Sequence, residues 1–153
     1  MEHTAQLVEQ GREFARQEKN ASALAAYNEA LRLDPGFRPA ALAKAVLLED
    51  LGRFDEALAA YDALLRQHPG DVAACSNRAG LLLQLGQPQA ALASLDAALA
   101  ADPANDLLAL NKGLLLLQGL GDAAAARPWL ERARDAGFAE AAAALSADPP
   151  PRD

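Results

Sequence analysis

Few side chains of this 153-residue chain could perform chemistry. A serine nucleophile needs a base within hydrogen-bond reach. Ser22, Ser76, Ser94 and Ser146 have no histidine at a useful spacing, because the two histidines are His3 and His68. That pair is also too widely separated to suggest metal ligands, which recur at short spacings. The neighbouring carboxylates Glu49-Asp50 and Asp55-Glu56 fall on helix faces expected to be solvated, not in a cleft where an acid and a base would be tuned apart. No glycine-rich phosphate loop is present in the sequence. The chain therefore does not read as an enzyme, and no cofactor, metal or catalytic residue is expected. The single cysteine, Cys75, cannot close an intrachain disulfide and implies no oxidising compartment. Its place among apolar residues predicts an inert, buried thiol.

The elements that would hold any site are helices. With 39 Ala and 28 Leu, the chain is rich in strong helix formers. It contains three Val and no Ile, although sheets favour β-branched residues. Fourteen basic residues stand against 21 acidic, a net charge of −7. A nucleic-acid binder needs a basic surface to displace counterions, and an anionic membrane surface makes a similar demand, so neither partner is expected. The start of the chain lacks a basic region followed by an apolar run, and no apolar stretch approaches the ~18 residues of a membrane span. A cytoplasmic location is the expectation.

Positions repeat along the chain at a fixed interval. Pro35, Pro69 and Pro103 are spaced by 34 residues. Ala23, Ala57 and Ala91 keep the same step, as do Tyr27, Tyr61 and Leu95, and Leu31, Leu65 and Leu99. Gly11, Ala45, Ala79 and Gly113 form a column of small residues through four units. Within a unit, Leu42, Ala45, Val46 and Leu48 have helical spacing. Gly52 then stops that helix as a left-handed C-cap, and Asp55 and Glu56 open the next, where carboxylates suit the positive dipole end. His68-Pro69-Gly70 ends the second helix and Asp71 caps its successor. Each unit is thus two antiparallel helices, which approach closely where one side chain is small. Tyr27 is expected opposite Gly11, and Tyr61 opposite Ala45. A hairpin of this size cannot bury its own apolar face, so neighbours must stack.

This pattern resembles the tetratricopeptide repeat. The residues that carry the resemblance are Leu7, Gly11, Phe14, Ala23, Tyr27, Ala30 and Pro35 in the first unit, and Ala41, Ala45, Leu48, Gly52, Ala57, Tyr61 and Pro69 in the second. The third has Cys75, Ala79, Leu82, Gly86, Ala91, Leu95, Ala98 and Pro103. The resemblance implies an all-α fold, a right-handed α-solenoid in one repeat domain over residues 1–147. Repeats fall at about 4–37, 38–71, 72–105 and 106–137, followed by a capping helix at 138–146 and a disordered tail at 148–153. Two departures matter. Glu18 stands where later units have Gly52 and Gly86, which predicts a looser turn. In the fourth unit Gly121 falls one residue late. A one-residue insertion then aligns Leu130 and Ala133, rather than Trp129, with the packing columns, and requires Pro128 in the first turn of its helix or a kink.

The resemblance also implies that the first helix of each repeat lines a concave binding groove. The expected groove residues are Val8, Glu9, Arg12 and Arg16; Leu42, Val46, Glu49 and Asp50; Ser76, Asn77, Gly80 and Gln84; and Leu110, Asn111, Leu114 and Gln118. Leu42, Val46, Leu110 and Leu114 make part of this face apolar, which suits a partner surface; alternatively these side chains pack on one another or on the terminal helix. Asn77 and Asn111 each carry donors and an acceptor suited to a peptide backbone. A clamp of Lys, Arg and Asn that binds C-terminal carboxylates in some relatives is not assembled: Val8, Ala43 and Ala73 stand at its positions. Arg16 and Asp50 share a column and are expected to pair. Lys44, Arg78 and Lys112 form a basic ladder whose stems are expected to pack between helices while their heads meet acidic neighbours. The expected function is a non-catalytic protein–protein interaction module, an adaptor for a protein or peptide segment of apolar character. The alternative is a homo-oligomerising scaffold, with a homodimer using the groove or an end face.

Overall fold

The computed structural model describes residues 1–147 and is helical throughout. The helices are α1 (Glu2–Arg16), α2 (Asn20–Leu33), α3 (Arg38–Asp50), α4 (Phe54–Gln67), α5 (Val72–Gln84), α6 (Pro88–Ala101), α7 (Asp106–Leu114), α8 (Ala123–Asp135) and α9 (Ala139–Ala147). A π-helical turn, Leu115–Gly119, continues α7. The expected tail at 148–153 lies outside the described residues. The architecture is all-α, a solenoid of helical hairpins, and α9 follows the last hairpin where a capping helix was expected.

The turns show why the chain folds this way. At the ends of α1, α3 and α5, the N–H three residues past the helix donates to a carbonyl five residues back: Lys19 to Phe14, Arg53 to Leu48 and Gln87 to Leu82, at 2.8–2.9 Å. A second bond runs three residues back, from Glu18 to Ala15, Gly52 to Glu49 and Gly86 to Leu83. Together these are the paired bonds that close a helix through a left-handed residue. Gly52 and Gly86 have φ of 71° and 73°, and Glu18 adopts the same conformation at φ 57°. The first turn is therefore not looser, as the sequence suggested. It has the same geometry, formed at a steric cost that glycine avoids. The bends at Pro35, Pro69 and Pro103 are equally alike: Asp34 donates to Ala30, His68 to Leu64 and Asp102 to Ala98.

The chain divides into two compact units, Met1–Ala74 and Cys75–Asp153. In the first, α1 packs on α2 and α3 on α4. The hairpins close where the sequence placed small residues. A Cβ on Gly11 would fall 2.8 Å from Tyr27 Cδ1, so the ring occupies the space a side chain would need. Tyr61 and Ala45 are both fully buried, and the Tyr61 hydroxyl donates to Glu49 Oε2 at 2.8 Å. Asp71 caps the helix that follows it, accepting from the Ala74 N–H at 2.9 Å.

In the second unit α7 packs on α8, and both contact α9. Ala126, Leu130 and Ala133 are buried, one residue later than a strict 34-residue step from Ala91, Leu95 and Ala98 would place them. Leu130, and not Trp129, packs against Gly113, where an added Cβ would meet it at 2.8 Å. The π-helical turn absorbs the extra residue, with Leu120 N–H donating to Leu115 at 3.1 Å, five residues back. Gly121 then takes the left-handed φ of 67° that Gly86 has in the preceding repeat. Pro128 is the sixth residue of α8, beyond the first turn. Its exposed site lets water satisfy the helical carbonyl that proline leaves without a donor. Phe138, Ala141 and Leu145 join the apolar cluster formed by α7 and α8.

Candidate functional site

Each unit has an open cavity on the face of its first helices. In the first unit the cavity is about 420 Å³. Leu42, Val46 and Asp50 line it from one side of α3, at the four-residue spacing that aligns side chains along a helix. Arg12 and Ala15 line it from α1, with Tyr27 behind them. Its floor is apolar and its charged groups stand at the rim. Arg12 is held by Glu9 of its own helix at 2.6 Å. Arg16 does not reach Asp50 as expected; it pairs with Glu13, one turn earlier, at 2.6 Å. A neighbour on the same helix face needs less side-chain ordering than a partner one repeat away. Arg38 lines the same cavity and forms a two-point ion pair with Asp71. Burial pushes the Asp71 carboxyl up, but the bonds from Arg38 and the Ala74 N–H outweigh it, and its pKa lies below the ordinary value.

In the second unit the cavity is about 190 Å³. Ser76, Asn77, Gly80 and Leu83 line it from α5, and Asn111 and Leu114 from α7, with Gln118 from the π-helical turn. The Asn111 amide donates to Ser76 Oγ at 2.7 Å. That bond fixes the Asn111 side chain so that its carbonyl remains an acceptor, while the Ser76 hydroxyl keeps its own proton to donate. The cavity thus has an apolar wall and a row of neutral donors and acceptors.

Several expected groove residues lie elsewhere. Val8 and Leu110 are only 2% and 3% exposed and belong to the core. These two positions are turned inward although Leu42 and Ser76, at the same step of the repeat, line the cavities, and the apolar content of the face rests on Leu42, Val46, Leu83 and Leu114. Glu49 is engaged by Tyr61, and neither Gln84 nor Arg16 lines either cavity. The sequence reading missed Ala15, Arg38 and Pro39 in the first cavity. Alanines carry no chemical signal, and Arg38 was hidden because its partner Asp71 is 33 residues away.

The basic ladder is largely structural. The Lys112 ammonium pairs with Asp96 at 2.7 Å and lies 4.1 Å from the centre of the Trp129 ring. Arg78 donates to Ser94. Cys75 is buried. No helix among the described residues is long and apolar enough to cross a membrane.

A family model described as tetratricopeptide repeat matches residues 8–72 and 77–149. No curated protein matches the sequence. Among solved structures, a tetratricopeptide repeat protein from Parabacteroides merdae superposes with a TM-score of 0.80 at 21% identity, over 95% of this chain and 59% of its own. The present chain thus spans less than two thirds of that protein. PilF of Pseudomonas aeruginosa gives a TM-score of 0.76 at 21% identity, over 96% of this chain and 69% of its own. The first such repeat domain of Spaghetti (RPAP3), bound to the HSP90 peptide SRMEEVD, gives 0.65 at 19% identity, over 78% of this chain and 94% of its own. At these identities the structural likenesses speak for the fold alone.

Proposed function

This chain belongs to the tetratricopeptide repeat family, whose fold is a general protein–protein interaction module, and from that premise we propose that it binds a polypeptide segment on the faces of its first helices. The observation that carries this reading is the pairing of apolar walls with neutral hydrogen-bonding groups. Leu42 and Val46 form the wall in one unit; Leu83 and Leu114, beside Ser76, Asn77 and Asn111, form it in the other. An apolar side chain of the partner would lose water against the leucines, while its backbone would bond to the asparagine and serine groups. Nothing in this set calls for a charged anchor. One structural relative was solved with an acidic peptide, but here Arg12 is already held by Glu9 and Val8 is buried. A segment with apolar anchors fits these faces better than a carboxylate terminus.

The test is a selection of displayed peptides against the whole chain, followed by affinity measurement on the L42D/L114D variant. Leu42 and Leu114 are half-buried, so the variant should remain helical. Peptides with two or three apolar anchors should be enriched and should lose at least about tenfold in affinity on the variant. Peptides that bind the variant as well as the parent would place recognition elsewhere. If instead the parent chain is a dimer and the variant a folded monomer, the faces join two copies of the chain, and the adaptor reading gives way to self-association.

A further inference from the structure

A separate cavity of about 150 Å³ lies in the first unit, and none of its lining residues lines the first-helix cavity described above. Its walls are apolar, formed by Leu31 from α2, Ala41 from α3, and Ala60 and Leu64 from α4. Lys44, Gln67 and His68 are the residues of its lining with polar side chains. His68 Nε2 lies 2.9 Å from the Gly36 carbonyl oxygen, so that nitrogen carries the proton and donates to it. Lys44 and Gln67 bring further donors to the lining.

Lys44 differs from the other members of its ladder. Lys112 meets Asp96, sixteen residues before it, and Arg78 meets Ser94, sixteen residues after it. The corresponding positions around Lys44 are Asn28 and Ala60. Neither carries the negative charge of Asp96 or the hydroxyl of Ser94. Lys44 accordingly has no ion-pair or hydrogen-bond partner among the described residues, although it is partly buried. Glu56 feels its charge, but that carboxylate is held by Arg53 at 2.7 Å. Ala60, where Arg78 has its hydroxyl partner, is itself part of the cavity wall. The space beside Lys44 is therefore the place of a missing partner, lined by apolar groups.

We propose that this cavity binds a small branched aliphatic carboxylic acid, with its carboxylate paired to Lys44 and its hydrocarbon branch against Leu31, Ala41 and Leu64. A partly desolvated ammonium group without a counter-ion favours a carboxylate. The apolar walls favour a hydrocarbon over a phosphate or a sugar. The volume is well below the several hundred Å³ of a site for a drug-sized ligand, which limits the guest to a few carbon atoms.

The experiment is a titration of the whole chain with 4-methylpentanoate, followed by ¹H–¹⁵N and methyl NMR, and repeated with 4-methylpentanamide as the uncharged counterpart. The acid should shift the signals of Lys44, Leu31 and Leu64 in a saturable way. The amide should bind at least about tenfold more weakly. Lys44→Met should weaken binding of the acid by a similar factor. Asn28→Asp, at an exposed position, should also weaken it, because it supplies the internal carboxylate that Lys112 already has; this second variant carries the test if Lys44→Met disturbs folding. The proposal is overturned if the acid produces no saturable shifts at millimolar concentration, if acid and amide bind alike, or if neither variant changes the affinity.

Discussion

Asp71 serves two purposes in the first unit: it caps the start of the helix that begins at Val72, and its two carboxylate oxygens accept from Nε and Nη2 of Arg38. Its side chain is 3% exposed, while that of Arg38 is 46% exposed, so water screens the pair from one side. The lowered pKa sets the direction of a pH effect. A carboxyl held below its ordinary value of 3.8 contributes stability that is present above about pH 4 and is lost as pH falls through the folded value. Asp71→Asn keeps the cap, since asparagine caps as well as aspartate, but removes the charge. Urea midpoints measured from neutral pH down to about pH 2 should therefore fall less steeply in this variant than in the parent. Equal slopes would mean that Asp71 does not carry the acid dependence. Glu18 offers a second test at this scale. Its left-handed backbone costs about 1–2 kcal/mol for a residue with a Cβ, whereas glycine adds about 0.5–1 kcal/mol of unfolded-chain entropy. Glu18→Gly should raise stability by up to about 1.5 kcal/mol, and a fall in the melting temperature would contradict the assignment.

At the scale of the elements, the helical hairpin depends on contact between a large and a small residue. Ala57 is fully buried in α4, and Ala57→Leu should cost about 1–3 kcal/mol by overpacking. Gly113→Ala should cost a similar amount, because its methyl would press on Leu130. Unchanged urea midpoints in both would refute the hairpin packing described here. These contacts were legible in the sequence because a 34-residue step marks them, and the displaced Gly121 and Ala133 even showed the insertion in the fourth repeat. The π-helical turn that absorbs it was not legible. An extra residue leaves no local signal of whether a loop or a helix will take it up. The inward turn of Val8 and Leu110 was missed for a related reason. What packs over an apolar side chain decides whether it is core or surface, and the residue type does not show it: Leu110 joins the cluster that holds Ala141 and Leu145 of α9, and Val8 the one that holds Ala23 and Tyr27 of α2.

For the molecule as a whole, binding faces built from neutral and apolar groups are set in a chain with a net charge of −7. That charge is expected to govern how fast a partner arrives more than how tightly it is held. A bound segment with basic flanks should associate more slowly as salt increases, with little change in its dissociation rate. The candidate site was legible as a set of helix faces, since the repeat step fixes which column is equivalent to which. Its finer composition was not, because Arg38 and Ala15 enter the cavity through tertiary packing rather than through a motif. The most direct test of the account is an amide NMR map of the chain titrated with a peptide recovered by selection. The account predicts that the shifts concentrate on α1, α3, α5 and α7, above all near Leu42, Val46, Asn77 and Leu114. Shifts concentrated on α2, α4, α6 and α8 would contradict it.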